Sequence, residues 1–229
     1  MKSKAGGSTG ILLLNLGGPD SLGAVKPFLF NLFSDREIIR LGPSFLQKPI
    51  AYLISSLRGK KTEEAYSLIG GKSPIRDITF AQAKALEELL NKPEVRSQES
   101  GGNDSSLFTS HQSLFLKVSV AMRYWHPLIE KVVPELYASG TRKLIVLSLY
   151  PQYSVATTGS SLNKLREVTA KYGIEIFTIL SWFDHPLYID ALVAEIKKGI
   201  KAFKDSKESG VMGNGLKDKK IPDSSLVTA

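Results

Sequence analysis

Four short runs rich in Ile, Leu and Val recur along the chain, at 10–16, 116–122, 143–149 and 174–180. Each is followed by a segment of helical period. The run at 116–122 reads as an alternating strand, whereas the other three do not alternate strictly. Strands of that kind suit a parallel sheet covered on both faces, joined by helical crossovers. The helical segments are expected from Asp20 or Ser21 to Phe33, from Ser44 to Leu57, from Thr62 to Tyr66 and from Asp77 to Leu90. Further helices are expected from Pro127 to Ala138, from Thr158 or Ser160 to Lys171, and from Pro186 to Phe203. The fold class that follows is α/β: a doubly wound parallel sheet with helices on both faces and right-handed crossovers.

Composition narrows the class further. Hydrophobic residues make up 42% of the 229 positions and charged residues 23%, which excludes a disordered or collagen-like chain and leaves enough apolar material for a core. The absence of cysteine excludes disulfides, Cys-ligated zinc, cysteine-bound iron–sulfur clusters and a thiol nucleophile. The net charge of +8 invites a nucleic-acid partner, but between Lys197 and Lys220 eight lysines face three acids. Much of the excess is therefore a solvated basic tail, and no nucleic acid is expected as a partner. The apolar run Ile11–Leu14 is too short for a signal peptide or a membrane span, so a soluble cytoplasmic protein is expected. The segment 96–113 holds six serines and little to bury, and is expected to be a flexible insertion. The domain plan is then a flexible start over 1–9, one α/β lobe over 10–203 and a disordered tail over 204–229.

In open α/β sheets ligands bind beyond the carboxyl ends of the strands. Four loops there carry more chemistry than a plain connection needs. Gly17-Gly-Pro-Asp20 is either a phosphate cradle or a tight turn, and it lacks the spacing of the known nucleotide loops. Arg123-Tyr-Trp-His-Pro127 suits a flat aromatic ligand bearing carboxylates; alternatively Tyr124 and Trp125 pack on the sheet edge with Arg123 paired internally. In the segment 150–161 seven residues carry hydroxyls and lead into a helix start, which can hold an anion or simply be capped. No nucleophile elbow accompanies these serines. Asp184-His185 pairs a carboxylate with an imidazole, able to move a proton or ligate a metal, or else marks a surface helix start.

These segments together resemble the ferrochelatase family. The match rests on Leu13-Leu-Asn-Leu-Gly-Gly-Pro-Asp20, Tyr66-Ser-Leu-Ile-Gly-Gly-Lys-Ser-Pro74, Arg123-Tyr-Trp-His-Pro127, Tyr150-Pro-Gln-Tyr-Ser154 and Thr157-Thr-Gly-Ser-Ser161, in the family's order. Asn31-Leu-Phe-Ser-Asp-Arg36 and Trp182-Phe-Asp-His-Pro186 resemble bacterial members. The resemblance implies insertion of ferrous iron into a porphyrin, protoporphyrin IX or coproporphyrin, at the end of haem synthesis. Porphyrin and Fe2+ are then the substrates, and no cofactor or redox step is required. It implies porphyrin contacts from Arg58, Tyr66, Ser73, Arg123, Tyr124, Tyr150, Tyr153 and Ser154. It brings Asp184 and His185 to a place where relatives carry residues proposed to act on the metal or on pyrrole protons.

The family has two lobes, and its second lobe carries a Ser-x-His-x-Leu-Pro segment and a later Glu. Neither is found in this sequence, and the resemblance ends near Phe203. The expectation is therefore one lobe with an unassigned metal site and negligible iron insertion; the alternative to an enzyme is a truncated, inactive porphyrin-binding domain. A nucleotide-binding module would rest on Gly17-Gly18 alone. Peripheral membrane association and oligomeric state are left open by the sequence.

Overall fold

The computed structural model describes residues 8–92 and 116–208. The expected insertion at 96–113 and most of the expected tail lie outside these residues. In chain order the elements are β1 (Ser8–Asn15), α1 (Val25–Ser34), α2 (Gln47–Ser67), α3 (Ile75–Leu90), β2 (Val118–Met122), α4 (Ile129–Ala138), β3 (Thr141–Ser148), α5 (Ser160–Ala170), β4 (Glu175–Ile179) and α6 (Pro186–Glu208). Short 3-10 turns precede α1 (Leu22–Ala24) and α2 (Ser44–Leu46), and a π turn (Val155–Gly159) precedes α5. β1 starts two residues before the expected lobe boundary, and α6 continues past the expected one at 203.

The sheet is wholly parallel, in the order β2-β1-β3-β4. Ile11 pairs with Val118 on one side of β1 and with Ile145 on the other. The order reverses between β1 and β3, which is where such sheets leave a crevice. Alternate residues of β1 feed the two faces. Leu12 and Leu14 pack with Ile129, Val133, Leu162 and Leu165 of α4 and α5. Ile11 and Leu13 pack with Ala83 of α3 and with Val118 and Val120. This is the two-faced burial that continuous apolar strands predict. β4 departs from it: Phe177 and Ile179 are exposed, whereas the other edge strand, β2, is largely buried.

The described residues form two compact units, one up to Ser181 and one from Trp182. The second contains α6. No helix among the described residues is long and apolar enough to cross a membrane.

α2 is a second departure. Two helices were expected over its span, broken between Leu57 and Thr62, but one helix runs through. Its buried stripe is Gln47, Ala51, Ser55 and Gly59, one residue per turn. The small side chains let α1 approach, with Lys26 Cβ 3.8 Å from where a Gly59 Cβ would stand. The apolar residues that suggested helix periodicity, Leu53 and Leu57, are instead exposed. Gln47 ties down the α1–α2 connection: its Nε2 donates to the carbonyls of Phe33 (2.8 Å) and Ile39 (2.9 Å), and its Oε1 accepts from Leu41 N.

Candidate functional site

A parallel sheet delivers the ends of β1, β2 and β3 to one edge, and there the signature segments meet. The loop after β2 is hydrogen-bonded to the end of β1: Arg123 N donates to Asn15 O (3.0 Å) and Tyr124 N to Leu16 O (2.9 Å). That approach needs Gly17. Its φ is +83°, and a Cβ there would lie 3.0 Å from Trp125 N. Gly18 makes room for a different segment, since a Cβ would meet Ser73 Oγ at 2.5 Å. Ser73 N in turn donates to Pro19 O at 2.8 Å. The Gly-Gly pair is thus explained by packing as a tight turn, and nothing in it requires a phosphate.

A third connection lies deeper. Asp35, just past α1, holds three donors on one carboxylate oxygen. Arg123 Nη2, Tyr124 OH and Ser160 Oγ each donate to Oδ2 at 2.6 Å. Arg123 Nε donates to Ser160 Oγ at 2.9 Å, and Tyr124 OH and Ser160 Oγ stand 2.9 Å apart. Glu37 N donates to the other oxygen, Oδ1, at 2.8 Å. Tyr124 and Ser160 are fully buried, and the Asp35 and Arg123 side chains are only 8% and 14% exposed. Around the Tyr124 ring pack Val25, Phe28 and Leu29 of α1. Burial pushes the Asp35 carboxyl up, but the bonds from Ser160, Tyr124 and Glu37 N and the Arg123 charge outweigh it and hold Asp35 below its ordinary range. Burial, followed by donation to Asp35, raises the Tyr124 hydroxyl above its ordinary value.

The other expected site residues divide into groups. Tyr66 lies at the end of α2; burial raises its hydroxyl, and the nearby Ser73 hydroxyl acts in the opposite direction. Tyr150 follows β3 at the same edge; burial raises it most, with the Arg123 charge acting in the opposite direction. Its hydroxyl interacts with Ser161 Oγ, but the geometry falls short of a hydrogen bond, and neither atom has another partner among the described residues. Tyr153 and Ser154 are exposed on the loop before α5, and Ser154 O accepts from Gly159 N at 2.9 Å. Arg58 is exposed on α2, and no hydrogen bond or ion pair among the described residues joins its side chain to the other candidates. Asp184 and His185 belong to the second unit, where both are exposed at the start of α6. Among the described residues no group of three or more His, Asp or Glu side chains is placed to hold a metal ion.

Asp35 is the residue that sequence reasoning passed over, together with Ser160 as more than a helix start. Its partners lie 88 to 125 positions away, so no local pattern announces them. The one available signal was an acid ending an otherwise apolar helix.

The contacts join segments far apart in sequence into one edge. A sequence model of the ferrochelatase family matches residues 8–213. A ferrochelatase of Geobacter metallireducens is 48% identical over 197 residues, which is 85% of this chain and 55% of that protein. One from Geotalea uraniireducens is 48% identical over 202 residues, and one from a Synechococcus strain 45% over 201, covering 87% and 86% of this chain and 56% and 53% of theirs. The chain thus spans about half the length of the curated relatives it matches. With nine-tenths of its length inside the family match and its signature segments converging on one edge of a parallel sheet, the chain belongs to the ferrochelatase family.

Proposed function

We propose that this chain binds a porphyrin along the edge formed by the ends of β1, β2 and β3, and serves in haem biosynthesis, in which ferrous iron is inserted into that porphyrin. The observation that carries this reading is the convergence of Tyr66–Ser73, Arg123–Tyr124, Tyr150 and Ser160 at one sheet edge in a chain of this family. The ligand is a flat apolar ring with ionised carboxylates. It needs aromatic and aliphatic surface together with fixed N–H and O–H donors. Exposed Leu53 and Leu57 and the cation of Arg58 stand on one helix, α2, and suit the two parts of such a molecule. Protoporphyrin IX and coproporphyrin are both accommodated by this reading, and Fe2+ is the second substrate. Asp184 and His185 are proposed to act on protons or metal. The proposal places the reaction in the cytoplasm.

Iron insertion requires distortion of the ring and acceptance of two pyrrole protons. Porphyrin binding is the part this chain's described residues support most directly. A fluorescence titration of the full chain with protoporphyrin IX tests it. Saturable binding is expected, weakened about tenfold by Arg58→Ala, the scale of one charge-assisted contact. Absence of saturable binding by the wild-type chain would overturn the proposal. A metallation assay with Fe2+ or Zn2+ on the same protein measures the second half of the reaction, and no turnover would leave a porphyrin-binding domain.

A further inference from the structure

Arg123 is a natural partner for a ligand carboxylate by residue type, but its geometry makes it less than a free cation. Nη2 is committed to Asp35 and Nε to Ser160, and only Nη1 has no partner among the described residues. The side chain is 14% exposed, so whatever a ligand meets is one narrow part of the guanidinium. Tyr124, next in sequence, has its hydroxyl on the same Asp35 oxygen and its ring in the core with α1. Asn31 Nδ2 of α1 also donates to Tyr124 O at 3.0 Å. Asp35 therefore ties the end of α1, the loop after β2 and the start of α5 together.

We propose that Asp35 is a positioning residue for ligand binding: by holding Nη2 of Arg123 and the hydroxyls of Tyr124 and Ser160, it orders Arg123 so that Nη1 alone is presented to a ligand carboxylate. The inference rests on the porphyrin-binding reading above. Its physical basis is the loss of side-chain freedom on binding. A free arginine must be immobilised when it engages an acid, whereas one already held by a fork of bonds has little left to lose. The Asp35 charge also offsets the guanidinium charge, so Arg123 contributes direction more than net attraction. A mere filler at position 35 could be neutral, because Asn has nearly the same shape and still accepts from hydroxyls. It could not pair with the guanidinium as a carboxylate does.

The experiment is a protoporphyrin IX titration of the full chain, read by quenching of tryptophan fluorescence, for the wild type, Asp35→Asn, Arg123→Ala and the double variant. Each single substitution is expected to weaken binding about tenfold, with the double variant no weaker than either, since all three remove the same ordered donor. Losses that multiply toward about a hundredfold would overturn the proposal, because independent roles add in free energy. So would a folded Asp35→Asn protein that binds like wild type. Arg123→Lys keeps the partnered carboxylate and answers the question even if Asp35→Asn fails to fold. It should bind as poorly as Arg123→Ala, and restoration of wild-type affinity by Lys would show that any cation suffices. Wild-type protein that binds no porphyrin would overturn the reading beneath, whereas binding that ignores Asp35 would overturn this inference alone.

Discussion

A carboxylate shielded from water ordinarily becomes harder to ionise, and Asp35 goes the other way because four donors converge on it. Its folded-state pKa lies below the unfolded value. The stability it contributes is therefore present above about pH 4, the unfolded carboxylate range, and is lost as pH falls through the lower folded value. Asp35→Asn should flatten this part of the acid limb. Chemical denaturation at a series of pH values between neutrality and strong acid would measure it, and an acid limb as steep in the variant as in the wild type would contradict the assignment. The sequence makes Arg123 and Tyr124 visible because a cation and an aromatic at a strand end stand out by type. Asp35 stays hidden because what gives it meaning is the company brought by folding. The internally paired reading of Arg123 and the packed reading of Tyr124 both describe the structure, and the ligand reading concerns what remains of their donors.

At the scale of an element, α2 shows how periodicity can be right about helix and silent about orientation. Leu53, Ile54 and Leu57 signal a helix, but the face toward α1 is Gln47, Ala51, Ser55 and Gly59. Close approach of two backbones favours small side chains over large ones, and a small-residue stripe carries little hydrophobic signal. Gly59 lies between the two stretches expected to be separate helices. The structure shows a helical residue whose missing Cβ has only Lys26 Cβ nearby, at an ordinary contact distance of 3.8 Å. Gly59→Ala should therefore stabilise the protein by about 0.5–1 kcal/mol, the difference in helix propensity. Urea denaturation would record it as a rise in midpoint at unchanged slope. A fall in midpoint would mean that α1 and α2 pack more tightly than this distance. Gly18 is the contrasting case, because a methyl there would strike Ser73 Oγ at 2.5 Å and prise apart two signature segments.

Across the whole molecule, β1 is the shared wall of two cores, and this was the most legible part of the design. An apolar run without alternation, such as Ile11–Leu14, has nowhere to put both sets of side chains except in a sheet covered twice. Strand order was not legible, because pairing β1 with both β2 and β3 depends on contacts that no single run encodes. Nor was the exposure of β4, whose apolar residues resemble those of the buried strands although Phe177 and Ile179 stand exposed. If the two cores are separate, mutations opening to opposite faces should act independently. Ile11→Val removes one methyl group from the α3 side, and Leu12→Ala removes most of a side chain from the α4–α5 side. The expected losses are about 0.5–1.5 and about 2–5 kcal/mol, the second larger because a cavity is left among fully buried neighbours. Their sum should describe the double variant to within about 0.5 kcal/mol, since the two side chains share no partner across the sheet. Denaturation of the two single variants and the double would test it. A double variant much less stable than the sum would mean that the sheet itself yields when either face is opened, so that strain passes from one core to the other through the backbone of β1.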